Sequence, residues 1–161
     1  VTINWAPPVA RPTFDFGPAF LLRQVLETCD TYQDAVHTLK HTPLSSSVFF
    51  TVSGVRRGEG CVIERSQNAA AVRSFKGTAL VQANHHVAAK FKSHNDEYSD
   101  LQDSKARALC LAESLDALES TKSLDTIGEV LDEPPVCNIE SYQQMVFCPK
   151  SGDYAVWRWE D

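Results

Sequence analysis

From Ser47 to Ala83 the apolar residues abandon any helical stripe. They gather into short runs rich in β-branched and aromatic residues, Ser47–Ser53, Glu59–Arg65, Ala69–Phe75 and Ala79–Ala83, divided by Gly-, Asn- and Arg-containing turns. This pattern predicts a meander of antiparallel strands. The flanks keep a helical period instead. Gly17-Pro18 opens a helix over 18–28 with Leu21, Leu22, Val25, Leu26 and Cys29 as its stripe. Thr31 and Asp34 form a capping-box pattern for a second helix, whose face runs through Tyr32, Ala35, Val36 and Leu39 until Pro43 stops it. Beyond the meander, Leu101, Lys105, Ala108, Leu111, Ala112, Leu115 and Leu118 mark a helix over 101–118, and Ser123 caps another that runs to Leu131 before Pro134-Pro135. The stretches 138–147 and 153–159 flank the turn Pro149-Lys150-Ser151-Gly152 as a hairpin. Helices and strands thus come in blocks, which favours an α+β fold of antiparallel sheets covered by helices over a doubly wound one.

The first five residues, Val1-Thr2-Ile3-Asn4-Trp5, are strand-like and lead into a proline-rich stretch ending at Pro12, as if the chain began within a sheet. At 161 residues the chain suits a single domain spanning 1–161. A domain of that size buries roughly 70% of its unfolded surface, enough for a core of its own. Fifteen basic against 21 acidic residues give a net charge of -6, and no dense basic cluster offsets it, so nucleic acid is not an expected partner. Lys90, Lys92, Lys105 and Arg107 are interleaved with Asp96, Glu97, Asp100 and Asp103, which reads as a solvated or site-facing surface. The five cysteines lack CxxC spacing and do not form a secreted disulfide framework, which favours a reducing, cytoplasmic setting. No apolar stretch is long enough for a membrane span, and no signal peptide opens the chain.

The first polar cluster with chemical potential is Gln82-Ala83-Asn84-His85-His86, at the end of the last apolar run of the meander. An amide held at a strand terminus can donate its N–H to a developing oxyanion. Asn84 is the candidate, with a turn-forming Asn as the structural alternative. His85, His86 and His94 form a weak set of metal ligands, because neighbouring strand residues face opposite ways and no HxxxH pattern accompanies them, so no metal is expected. Ser104 and Arg107 lie three apart on one helical face, where the arginine could hold a substrate carboxylate or order a nucleophile, or simply pair with Asp103 or Asp100. The sequence holds no GxSxG elbow, phosphate loop, dinucleotide fingerprint or HExxH. Cys29, Cys61, Cys110, Cys137 and Cys148 sit on apolar stripes, in a strand or beside the hairpin, and read as structural thiols.

Read in order, His41-Thr42-Pro43-Leu44, Ser47 to Gly54, Glu59-Gly60-Cys61-Val62-Ile63-Glu64-Arg65 and Val81-Gln82-Ala83-Asn84-His85 resemble acid ceramidase and its acid amidase relative. Asp103-Ser104-Lys105-Ala106-Arg107, some twenty residues past Asn84, is closer to the penicillin acyltransferase branch. Leu124 to Val136 and the hairpin through Asp153 follow the same family's ending. The chain is therefore similar, over about 18–160, to the linear-amide, N-terminal-nucleophile hydrolase superfamily that also contains the choloylglycine hydrolases.

That resemblance implies an αββα sandwich in which an N-terminal cysteine attacks an amide carbonyl, its own α-amine acting as base, with no cofactor. It assigns Asn84 the oxyanion-hole donor and places Ser104, Arg107 and His85 against an N-acyl small-molecule substrate. This chain begins with Val1, which has no nucleophilic atom, and carries His85-His86 where the ceramidase branch has Tyr-Asp after the asparagine. The expectation is a C-terminal portion of the sandwich, incomplete at its N-terminus and inactive alone, with the missing N-terminal half or self-association completing it. A non-catalytic α+β binding or assembly module on the same scaffold is the alternative.

Overall fold

The computed structural model describes residues 1–77, 79–98, 101–118 and 123–158, with the side chain of Gln102 left out. Its elements are β1 (Thr2–Trp5), α1 (Pro18–Thr28), α2 (Tyr32–His41), β2 (Val48–Ser53), β3 (Gly60–Arg65), β4 (Ala70–Ser74), α3 (Leu101–Ala117), α4 (Leu124–Asp132), β5 (Gln143–Phe147) and β6 (Tyr154–Arg158). A 3-10 segment, Lys92–Glu97, precedes α3.

The strand period of two explains the core. On β2 and β3, Val48, Phe50, Val52, Cys61 and Ile63 share one face and bury against Leu21, Val25, Ala35 and Leu39 of α1 and α2. The sheet runs β1-β2-β3-β4, antiparallel throughout, with Asn4 opposite Phe49 and Glu64 opposite both Phe49 and Ala71. Its other face is also covered. There Phe49 meets the His86 ring edge-on at 5.0 Å, and Phe91 lies 5.4 Å beyond. Helix α2 starts where the sequence places it, with Thr31 Oγ1 accepting the Asp34 N–H at 3.1 Å.

Arg65 leaves β3 on the helix side and is fully buried. Its guanidinium donates to Leu39 O and, at 2.7 Å, to Thr42 O at the carboxyl end of α2, and further to Ala69 O and Gln67 O. Burial pulls its pKa down to about 10, so it stays charged at neutral pH and ties the helix to the strand.

The hairpin β5-β6 forms a separate two-stranded sheet against α4. Gly128 of α4 admits the Trp157 ring so closely that a Cβ there would lie 2.6 Å from Cη2. The turn is closed by Cys148 N–H to Asp153 O at 2.8 Å, with Gly152 at a φ of 81°.

Two stretches of the sequence reading come out differently. Ala79–Ala83 is not a strand, because side chains take its backbone carbonyls: Arg73 donates to Val81 O, while Asn4 and Gln82 donate to Ala83 O. The first hairpin strand starts at Gln143 rather than Asn138, since Asn138 and Ser141 close a turn of their own. The expected end of the second at Trp159 lies outside the described residues.

Candidate active site

The bend after Ala83 carries the polar cluster. Gln82 folds back across it, its Nε2 donating to Ala83 O at 2.9 Å and His85 O at 2.8 Å, and Arg73 in turn donates to Gln82 Oε1. Arg73 is held by Glu64 at 2.9 Å. Glu64 also accepts from His86 Nδ1 at 3.1 Å and from the N–H groups of Val87 and Ala88. Burial alone would push the Glu64 carboxyl up, but these donors outweigh it and hold it below the ordinary 4.5. Asn95 clamps the next residue through a reciprocal pair, His86 N–H to Oδ1 and Nδ2 to His86 O, both at 2.8 Å.

This frame presents Asn84, half-buried, to a cleft of about 470 Å³ lined by Trp5, Asn84, Glu97, Tyr98, Leu101, Ser104, Arg107 and Glu140. An Arg107 NH2 donates to Asn84 Oδ1 at 2.9 Å. That contact fixes which way the amide faces, because a flipped amide would set NH₂ against guanidinium. The Nδ2 hydrogens point to Asn4 Oδ1 at 2.9 Å and Trp5 O at 3.2 Å. The backbone N–H of Asn84 is spent on Ser104 Oγ at 2.7 Å.

Ser104 is buried, and its hydroxyl also lies 2.9 Å from His85 Nδ1. Burial, then the nearby Lys105 with smaller contributions from Arg73 and Arg107, lowers the His85 pKa below its ordinary 6.5, against the opposing pull of Glu64. A neutral ring can accept at Nδ1, so the hydroxyl can accept from the Asn84 N–H while donating its O–H hydrogen bond to His85.

Asn84, His85, Ser104 and Arg107 are thus joined in one hydrogen-bonded group. Arg107 is engaged by Asn84 and makes no ion pair with Asp103, while Asp100 lies outside the described residues. Its Nε is buried without an acceptor among the described residues. His86 does not share a centre with His85: its nitrogens face Glu64 and Pro7 O, and among the described residues no group of three or more His, Cys, Asp or Glu could hold a metal. No cysteine lines the cleft. Cys61 is buried, and burial pushes its thiol up, while Cys148, lowered by hydrogen bonds from Ser151, belongs to the hairpin turn. Among the described residues no helix is long and apolar enough to cross a membrane.

Asn4 and Glu64 escaped the sequence reading. Asn4 reaches Asn84 across 80 positions, which no local spacing reveals. Glu64 did leave a signal, an acid that directly follows the apolar run Cys61-Val62-Ile63 within the same strand.

The model of the acyl-coenzyme A:6-aminopenicillanic acid acyl-transferase family matches residues 2–146. Acid ceramidase of Mus musculus is 42% identical over 48 residues, 30% of this chain and 12% of that protein. N-acylethanolamine-hydrolyzing acid amidase of Oryctolagus cuniculus is 28% identical over 141 residues, 84% of this chain and 37% of its own length. Among solved structures, the Caenorhabditis elegans ortholog of N-acylethanolamine-hydrolyzing acid amidase aligns with a TM-score of 0.68 at 28% identity, covering 88% of this chain and 60% of that one. The antiparallel sheets and covering helices are those of this N-terminal-nucleophile hydrolase fold, and the chain spans less than two thirds of the length of each of these relatives.

Proposed function

The chain belongs to the acyl-coenzyme A:6-aminopenicillanic acid acyl-transferase family of the N-terminal-nucleophile hydrolases, and from that membership we propose that it is the carbonyl-holding portion of a cysteine-type amide hydrolase or acyltransferase acting on an N-acyl substrate. The observation that carries the reading is the orientation of Asn84. Arg107 binds Oδ1 and Ser104 binds the backbone N–H, so the amide can turn only its Nδ2 hydrogens toward the cleft. An oxyanion forming on the acyl carbonyl takes over the longer of the two Nδ2 contacts, that to Trp5 O at 3.2 Å. Because Arg107 withdraws charge through Oδ1, it strengthens the donor it orients. With the amide already oriented, only that one weak contact has to be exchanged when charge develops.

In this proposal the attacking thiolate is supplied by a segment outside these 161 residues; no cysteine lines the Asn84 cleft. The names of the relatives point to fatty-acyl amides, an N-acylethanolamine or a ceramide, as first substrates to try. A non-catalytic assembly module on the same scaffold is the second reading, favoured by the exposed apolar face of the hairpin.

The test joins the chain to the family's cysteine-bearing segment and follows amine release from each amide. Asn84→Ala is expected to lower kcat about 100- to 1000-fold with little change in KM, the usual effect of deleting an oxyanion donor. An unchanged kcat removes Asn84 from the chemistry. A joined protein that folds but cleaves neither amide supports the assembly module instead.

A further inference from the structure

Behind the Asn84 cleft, on the other side of the Asn84-His85 and Ser104-Lys105 pairs, lies a second cavity of about 660 Å³. It is lined by His85, His86, Val87, Lys92, Ser93, Asn95, Asp96 and Lys105, and shares no lining residue with the amide cleft. Its character is opposite to that of the chain. Where the whole sequence has 21 acidic and 15 basic residues, this wall has two lysines, Lys92 and Lys105, against the single acid Asp96.

Neither lysine forms an ion pair among the described residues, although Asp96 lies in the same wall. The cationic field is felt at His85, whose protonation is opposed by burial first and by Lys105 next. The two inner residues cannot relieve the field, because the His86 ring nitrogens are spent on Glu64 and Pro7, and the Asn95 side chain on the His86 backbone. What remains open to a ligand is Lys92, Lys105, the Ser93 hydroxyl and the outer edge of His85.

We propose that this cavity is an anion-binding site, distinct from the amide cleft, that takes the carboxylate or phosphate group of a small molecule. Two ammonium groups and a hydroxyl supply charge-assisted donors to a compact oxyanion. The cavity is larger than a bare ion needs, and Val87 with the lysine stems offers the rest of the ligand an apolar wall. Occupancy is transmitted inward. His85 borders the cavity and shares the Ser104 hydroxyl with the Asn84 N–H, so an anion beside His85 perturbs the asparagine through one intervening side chain.

The site stands on its own residues and does not depend on amide chemistry, so it can be tested on the chain as it is. The ¹⁵N-labelled chain is titrated with inorganic phosphate and, separately, with butyrate, at ionic strength held constant with chloride. Saturable shifts are expected at His85, Lys92, Ser93 and Lys105 and, more weakly, at Ser104 and the Asn84 side-chain amide. Lys92→Ala and Lys105→Ala should each weaken binding roughly tenfold, the value of one charge-assisted contact, while Lys105→Arg retains it. Both lysines are exposed and form no ion pair among the described residues, so the variants are expected to fold, which superposable spectra away from the cavity verify. Saturation by phosphate alone assigns a phosphate-bearing ligand and by butyrate alone a carboxylate. Shifts that do not saturate, or that both alanine variants leave intact, overturn the site, whatever becomes of Asn84.

Discussion

At the scale of single residues, the side chain with most at stake is Glu64. Its carboxylate is sealed from water and held by Arg73, His86 and two backbone N–H groups. Through Arg73 and Gln82 it also fixes the bend on which Asn84 stands. Its pKa is depressed in the folded chain, so the sign of the linkage follows. The unfolded chain takes the proton near the ordinary 4.5 while the folded chain still resists it, so Glu64 contributes its full stability above that pH and loses it as pH falls through the lower folded value. Glu64→Gln removes the charge but not the shape, leaving Arg73 facing a neutral amide, and should cost about 3 to 5 kcal/mol at neutral pH, as for a broken buried pair. Urea unfolding of both proteins from pH 7 downward should show the gap closing below 4.5. A gap that stays constant to the acid limit would mean that packing, not charge, explains the loss.

Helices and strands were legible wherever local chemistry decides them. Pro18 at the first turn of α1, Thr31 and Ser123 as caps and the two-residue period of β2 and β3 all appear where the sequence puts them, because each depends only on near neighbours. The run Ala79–Ala83 has the same apolar look and still fails to be a strand. Its partners are side chains of Asn4, Arg73 and Gln82, and such tertiary contacts leave no period. The candidate site divides likewise: Ser104 and Arg107 are a helical pair visible from spacing, whereas Asn4 and the Glu64-Arg73-Gln82 chain needed the fold. Gly128 shows the same override in a form that can be measured. In an exposed helix, Gly→Ala gains about 1 kcal/mol. Here the new Cβ would meet three Trp157 ring atoms at 2.6 to 3.0 Å, so Gly128→Ala should destabilise the hairpin contact by about 1 to 3 kcal/mol. Thermal unfolding of Gly128→Ala, Trp157→Leu and the double variant should show the glycine penalty vanishing once the ring is gone. An equal penalty in both backgrounds would place its cause elsewhere.

On the scale of the whole molecule, the hairpin is where the chain is least self-sufficient. Its register pairs Met145 with Val156 and Phe147 with Tyr154, and all four side chains are exposed on one face while Val146 and Trp157 turn toward α4. A two-stranded sheet is marginal without cover on its apolar side. The alignment leaves 40% of the solved relative's own length outside the part shared with this chain. Left alone, the chain should hide the face against a second copy, since four neighbouring apolar side chains form a patch of the kind that drives association. Light scattering after size exclusion is expected to show the mass rising with concentration, and Met145→Lys with Val156→Lys should return it to that of one chain without changing the unfolding free energy by more than about 1 kcal/mol. Addition of the cysteine-bearing segment should compete with self-association if it lies on the same face. A chain that stays monomeric at every concentration, with the hairpin intact by amide exchange, would show that α4 alone suffices to hold β5 and β6.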